Sequence, residues 1–248
     1  MLTEQRYEII LRLVNERKSI TASELQDILE TSESTVRRDL TALHKAGKLI
    51  KVFGGAVALE QTVTAKEYTV AQKLEVNLNE KESIAAHAAA LITDEDFVYL
   101  DAGTTTGAML EYIRTTEATF VTNAVAHAQR LAARGIHVIL LGGELKGTTE
   151  AVVGNLAVQS VSRFHFTKGF FGTNGVSRKA GFTTPDANEA FVKQAAMANC
   201  KEVYVLADSS KFHQISSVTF GAYQEAVILT ERLPEEYADC SNVKAAGN

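Results

Sequence analysis

The sequence predicts an α/β protein in two parts: an N-terminal winged helix-turn-helix, then a larger α/β domain with a mostly parallel sheet. Three observations predict it. The first fifty-odd residues carry three amphipathic helical patterns and then a short apolar run that turns at Gly54-Gly55. From Phe97 onward, short apolar runs alternate with helical patterns, as in a parallel sheet wrapped by helices. Between these regions the sequence mixes charges with few apolar stripes. The expected division is therefore a first domain over 1–58, a linker over 59–78 and a second domain over 79–248.

Helix one spans Glu4 to Glu16, with Thr3 as its expected N-cap and Ile9, Ile10, Leu13 and Val14 on one side. Ser19 and Ile20 break that pattern. Thr21-Ala22-Ser23-Glu24 is a capping box, and the helix it starts is expected to bury Leu25, Ile28 and Leu29. Ser32 is placed to cap a third helix in which Val36, Leu40 and Leu43 fall at i, i+4 and i+7. The opposite face offers Ser34, Thr35, Arg37, Arg38, Thr41, His44 and Lys45. Gly47 is placed to end this helix, and 49–53 reads as the strand of a wing.

The whole chain of 248 residues carries a formal charge of −5, which argues against non-specific coating of nucleic acid. Between Thr35 and Lys51, however, five basic residues face the single acid Asp39. A small basic face on an acidic chain suits a site-specific DNA binder. Arginine bonds bidentately to guanine or phosphate, and short hydroxyls at a helix N-terminus favour phosphate. The expected contacts to double-stranded DNA are Ser32, Ser34, Thr35, Arg37, Arg38, Thr41, Lys45 and Lys51.

In the second part, Asn79 with Glu82 repeats the capping-box pattern before a helix burying Ile84, Ala85, Ala88, Leu91 and Ile92. The expected strands are 97–100, 119–122, 136–141, 168–171, 203–206 and 226–229. Ligands of such sheets bind beyond the carboxyl ends of the strands. There the sequence places Asp101-Ala102-Gly103-Thr104-Thr105-Thr106, Asn123, Gly142-Gly143, Asn174-Gly175 and Asp208 to Lys211. A glycine-containing turn with three hydroxyls is suited to a phosphate. Lys193 and Lys211 are expected to neutralise it, and Asp101, Asn123, Glu189 and Asp208 to accept from sugar hydroxyls. Gly103, Thr104, Thr105, Thr106, Gly142, Gly143, Asn174 and Gly175 complete the expected effector site.

Cys200 and Cys240 have no metal-type spacing, the six histidines are scattered, and no Walker P-loop or Ser-His-Asp ordering occurs. No metal and no cofactor is expected. The Met1 end shows no apolar signal segment and no stretch reaches the roughly 18 apolar residues of a membrane span. The expectation is a cytoplasmic protein with no membrane partner.

Ser34-Thr35-Val36-Arg37-Arg38-Asp39-Leu40, followed by Gly47-Lys48-Leu49 and Gly54-Gly55-Ala56, closely resembles the DNA-binding signature of the DeoR-type repressors of sugar metabolism. The resemblance continues through Asp101 to Thr106, Thr122-Asn123, Gly142-Gly143, Gly172 to Gly175 and Ala207 to Lys211, which match that family's effector domain. It implies a fold similar to ribose-5-phosphate isomerase, a structural role for Asp39 paired with a neighbouring arginine, and release from operator DNA when a phosphorylated sugar binds. The strings look most like the fructose-operon branch, implying fructose 1-phosphate; regulators sensing tagatose 6-phosphate are similar too. A homo-oligomer, dimer or tetramer, is expected because helix-turn-helix repressors read repeated half-sites. The alternative is a sugar-phosphate isomerase-like enzyme carrying a DNA-binding domain, with Asp101, Glu189 or Asp208 as base.

Overall fold

A computed structural model describes residues 2–17, 19–46, 48–58, 63–64 (backbone only) and 67–246. It forms two compact units, Met1–Gln61 with Pro234–Asp239, and Thr62–Leu233 with Cys240–Asn248.

In the first unit, α1 (Thr3–Arg17) starts at Thr3 itself, so that residue is the first of the helix rather than its cap. Strand β1 (Ser19–Thr21) follows where the sequence showed only an interruption. The capping box at the head of α2 (Ala22–Leu29) forms as expected: Thr21 Oγ1 accepts from the Glu24 N–H at 3.1 Å, and Glu24 accepts from the Thr21 N–H at 2.8 Å. Ser32 caps α3 (Glu33–Lys45). The predicted end of that helix at Gly47 lies outside the described residues. Strands β2 (Ile50–Val52) and β3 (Gly55–Val57) make the wing, and β3 pairs on its other side with β1. One core joins these elements, with Ile10, Val14, Leu25, Val36, Leu40, Leu43 and Leu49 almost wholly buried. Ile28 is the exception among the predicted core positions. It is 43% exposed, and Ala22 lies in the core instead.

The second unit begins with β4 (Val63–Thr64), a short α4 (Val70–Leu74) and α5 (Leu78–Ala89). The stretch read as a linker thus contains a helix, capped by a Thr69/Gln72 box. Asn79 does not cap α5. That position falls to Asn77, in the left-handed region at φ 54°, whose side-chain amide donates to Asp208 rather than closing the helix end. Then come β5 (Phe97–Leu100), α6 (Thr104–Ala108), β6 (Thr119–Thr122), α7 (Val125–Ala133) and β7 (Val138–Leu140). The hairpin of β8 (Glu144–Lys146) and β9 (Ala151–Val153) leads to α8 (Asn155–Val161) and β10 (Phe166–Gly172). After it come β11 (Gly175–Ser177), β12 (Gly181–Thr184), α9 (Ala187–Met197) and β13 (Cys200–Leu206). The last strands are β14 (Ile215–Ser216), β15 (Val218–Gly221), β16 (Val227–Thr230) and β17 (Val243–Ala245).

Seven strands form the main sheet in the order β17-β16-β13-β10-β5-β6-β7, and every pairing in it is parallel. All six predicted runs are in it; β17 and the small side sheets were not anticipated. From β5 the chain winds one way to β6 and β7, and from β10 the other way to β13, β16 and β17. The strand order therefore reverses between β5 and β10, and the loops leaving these neighbours diverge to open a crevice. One face of the sheet buries Val98, Leu100, Phe120, Phe170 and Leu206 against α5, α7 and the turn at Met109–Glu111. Helix α9, which links β12 to β13, contributes no residue to that cluster.

Candidate functional site

In the first unit, α3 and the wing share one basic surface. Ser32 Oγ accepts from the Thr35 N–H at 3.3 Å, so the cap is occupied by its own helix, while Ser34 is exposed beside it. Arg37 is tied to Glu33 one turn back, Nη2 to Oε1 at 2.6 Å. Arg38 has no such acid: its Nε donates to the Ser34 carbonyl at 3.3 Å. Thr41 is half-buried and accepts from Lys51 Nζ of the wing at 2.7 Å, which joins helix and wing into one ridge with Lys45 exposed on it. Asp39 lies beneath this surface, 4% exposed. Its carboxylate accepts from Arg6 of α1 at 2.7 and 3.1 Å, so its partner is spatially near but 33 residues away. At the wing tip the sequence reading needs adjustment. Phe53 is in the turn rather than the strand and fully exposed, beside Gly54 at φ 84°.

In the second unit, the crevice at the β5/β10 reversal holds a cavity of about 360 Å³. Gly103, Thr104 and Thr105 come from the turn after β5, Asn174 from the turn after β10, Glu189 and Lys193 from α9, and Asp208 and Lys211 from the end of β13. Eight of the predicted effector residues are thus brought together. Both α9 residues face inward, 8% and 5% exposed. Lys193 Nζ bonds the Asp101 carboxylate and donates to the Gly172 carbonyl at 3.1 Å, and it sits 5.4 Å from the Phe220 ring centre. Asp101 also accepts from the Gly172 N–H at 3.0 Å. Burial raises the Asp101 pKa above the usual carboxylate range while Lys193 pulls it down. The pair therefore ties β5 to β10 and α9 across the crevice floor.

Six predicted residues stand outside the cavity lining. Asp101 acts from below through Lys193. Thr106 is buried and donates to the Asp101 carbonyl at 2.7 Å. Asn123 accepts from the Ala102 N–H at 2.8 Å and donates to the Val152 carbonyl at 3.3 Å, so both ends of its amide are spent on holding the loop. Gly142 does not line the cavity, and Gly143 and Gly175 are there for close approach: a Cβ would lie 2.6 Å from the Val153 carbonyl and 2.3 Å from the Gln214 carbonyl, respectively. Their common cause is that polar and glycine residues at strand ends build the loops as often as they face the ligand.

The cavity has walls that the sequence reading missed. Lys73, Asn77 and Lys81 line it from α4 and α5, with Tyr68, Gln72 and Thr149. Lys73 fell in the assumed linker, although Thr69-Val70-Ala71-Gln72 carries a capping-box pattern. Lys81 shares the helix face of Ile84, Ala85 and Ala88, which marked it as inward-facing. Lys81 Nζ donates to the Lys73 carbonyl. Burial lowers the pKa of both ammonium groups; Glu189 opposes this at Lys73 and Asp208 at Lys81, while the charges of Lys193 and Lys211 add to it at Lys73 and those of Lys211 and Lys73 at Lys81. Neither ammonium has a carboxylate within ion-pair distance among the described residues. By contrast Glu189 accepts from Thr149 and from Lys146 at 3.3 Å, and Lys146 is shared with Glu67 at 2.7 Å and Asp186 at 3.1 Å. Asp208 lies 3.9 Å from Lys211.

Residues 6–62 match the DeoR-like helix-turn-helix domain and residues 76–231 the DeoR C-terminal sensor domain. The chain belongs to the DeoR family of transcriptional regulators. It is 41% identical to the uncharacterized HTH-type transcriptional regulator FruR of Bacillus subtilis, over 93% of this chain and 91% of that one. It is 35% identical to the lactose phosphotransferase system repressor of Staphylococcus epidermidis, covering 91% of each. The HTH-type transcriptional repressor GlcR of Bacillus subtilis is 32% identical over 95% of this chain and 91% of its own. Among solved structures, ribose 5-phosphate isomerase A of Methanocaldococcus jannaschii aligns with a TM-score of 0.41 at 15% identity over 55% of each chain, too slight a likeness to speak for this DeoR-family protein's chemistry. No helix among the described residues is long and apolar enough to cross a membrane.

Proposed function

We propose that this protein is a cytoplasmic transcription repressor of a sugar-utilisation operon, released from its operator when a phosphorylated sugar, best matched by fructose 1-phosphate, occupies the cavity of the second unit. The DNA-reading part is 1–58, with Arg38, Lys45 and Lys51 as the cations left to meet phosphates and base edges and Arg37 shared with Glu33. Sensing belongs to 79–248 together with α4.

The observation that carries the reading is the convergence of Lys73, Lys81, Lys193 and Lys211 on one cavity, where the half-buried Lys73 and the buried Lys81 have no carboxylate within ion-pair distance among the described residues. Burial disfavours these ammonium charges more than Glu189 near Lys73 and Asp208 near Lys81 favour them, and a bound anion relieves that. Beside them lie the Thr104 and Thr105 hydroxyls and Lys211, so the phosphate is assigned to this side. Asp208, Glu189 and Asn174 then supply acceptors to sugar hydroxyls across a cavity of ligand size. The resemblance of the strand-end strings to the fructose-operon branch makes fructose 1-phosphate the effector to try first. An isomerase would need a free carboxylate base; Asp101 is engaged by Lys193 and the Gly172 N–H, Glu189 by Thr149 and Lys146, and Asp208 by Asn77 and the Ser210 N–H, which supports binding without turnover. The effector acts by linkage: it shifts the population toward the arrangement that binds it better, by no more than its differential affinity.

The test is a thermal-shift screen with phosphorylated and free sugars, paired with operator binding by fluorescence anisotropy. The reading expects fructose 1-phosphate to raise the melting temperature and release DNA while fructose does neither. No shift with any sugar phosphate would remove the sensor assignment, and steady conversion of the sugar would restore the enzyme alternative.

A further inference from the structure

Helix α9 carries all its formal charge on its buried side, among Ala190, Val192, Ala196 and Met197. Its only two charged residues, Glu189 and Lys193, are buried toward the cavity, whereas Ala187, Asn188, Phe191 and Gln194 are exposed. Phe191 is 53% exposed on that outer face. Helix α8, Asn155-Leu156-Ala157-Val158-Gln159-Ser160-Val161, packs against α9 and carries no charge at all. It buries Ala157 and Val161 and turns Asn155, Leu156 and Gln159 outward, with Leu156 68% exposed. In a chain of which 22% is charged, two adjacent helices thus present an outer surface of amides, alanine and two large apolar side chains without a single formal charge.

We infer that the outer face of α8 and α9 is where two copies of this chain meet, around a two-fold axis. This deepens the proposed oligomeric repressor, and rests on it only for the expectation that the protein self-associates. A two-fold interface sets a surface against itself, so any net charge on it is opposed by the same charge. A neutral face escapes that penalty. Its amides are self-complementary too, since each Asn or Gln both donates and accepts and can bond its own copy. Phe191 and Leu156 supply the apolar anchors, and depletion of charge around an aromatic residue is the composition of an interface centre. The inner side of the same α9 carries the cavity residues Glu189 and Lys193, so one rigid helix would connect a bound effector to the partner subunit.

The experiment is light scattering on the full-length protein, without DNA or effector. Wild type is expected at a multiple of the 26.9 kDa chain mass, and Leu156→Glu/Phe191→Glu at half that multiple or less with an unchanged far-UV circular dichroism spectrum. If the charged variant fails to fold, Leu156→Ala/Phe191→Ala decides the matter by sedimentation, with at least a tenfold weaker self-association expected. Ala132→Glu, on the exposed side of α7, should leave the mass unchanged. A charged or alanine variant that associates as tightly as wild type overturns this interface while leaving an oligomeric repressor intact. A monomeric wild type overturns both, and equal dissociation by Ala132→Glu shows that the effect does not belong to this face.

Discussion

The two units of this protein present their cations in opposite ways. In the first, Arg38, Lys45 and Lys51 are exposed, and the helix and hairpin that carry them are specified by sequence neighbours a few residues apart. In the second, Lys73, Lys81, Lys193 and Lys211 surround a cavity and come from α4, α5, α9 and the end of β13, so their meeting is a product of the sheet topology. Exposed cations cost little to present, and their interactions are screened by salt. Buried ones are destabilising until compensated, which makes their response to a partner larger. The difference predicts that substitutions in the sensor unit act through stability and ligand response, whereas those on the α3 surface act on DNA binding alone.

The largest expected effect tests the buried side. Lys193→Met leaves Asp101 buried beside an apolar chain, and breaking such a pair costs about 3–5 kcal/mol. Denaturant unfolding should show that loss, and Asp101→Leu/Lys193→Met should recover most of it, because removing both charges also removes the desolvation cost. A single variant as stable as wild type would show that the crevice floor does not depend on the pair.

What was legible in the sequence follows the same division. Thr21 with Glu24, Ser32 as cap, and Val36, Leu40 and Leu43 at helical spacing are local patterns, and the structure places each as read. The six apolar runs of the sheet were equally clear, since a strand buried on both faces is a continuous apolar segment. The cavity was only half legible. Turn residues such as Thr104 and Asn174 mark strand ends, but the sequence does not say which of them hold the loop and which line the space; Asn123 and Thr106 prove to do the former. Lys73 was lost because α4 is five residues long and has no buried residue to give it periodicity.

A second prediction asks how tightly the wing is seated. Gly55 of β3 pairs with Thr21, and a Cβ there would lie 2.2 Å from the Ile20 carbonyl oxygen. Gly55→Ala should force β1 and β3 apart at a cost of roughly 1–3 kcal/mol, as overpacking does. It should weaken operator binding through displacement of Lys51 and leave the sugar-phosphate thermal shift in place. If both responses fell together, the two units would not be separable in the way the comparison holds.

Acid exposes the buried side again. His127 on α7 is 6% exposed, and burial, followed by the nearby Arg130, lowers its pKa from 6.5 to about 4. Its native-state pKa is below that of the unfolded chain, so the unfolded state takes up the proton first. The stability is fully present above pH 6.5 and is lost as pH falls toward 4. Linkage gives a loss of about 2 kcal/mol between pH 7 and 5 from this group. Urea unfolding of wild type and His127→Gln at both pH values checks it; equal pH slopes would assign the acid sensitivity elsewhere.

The smallest expected effect separates two adjacent arginines on the exposed side. Arg38 is unpaired with any acid among the described residues, and a guanidinium bidentate to guanine or bound to phosphate is worth about 1–3 kcal/mol, or roughly 5- to 150-fold in affinity. Arg37 must first share or surrender its Glu33 contact, 2.6 Å away at a surface where such a helix pair is worth only about 0.3–0.5 kcal/mol. Arg38→Ala should therefore weaken operator binding more than Arg37→Ala, and Glu33→Gln should raise the affinity slightly by freeing Arg37 and removing a negative charge from the DNA-facing end of α3. Anisotropy titrations at two salt concentrations would decide it. A larger loss for Arg37→Ala would mean that Glu33 orients that guanidinium for DNA instead of competing with it, and the exposed unit would then share with the buried one the habit of positioning its cations through a carboxylate.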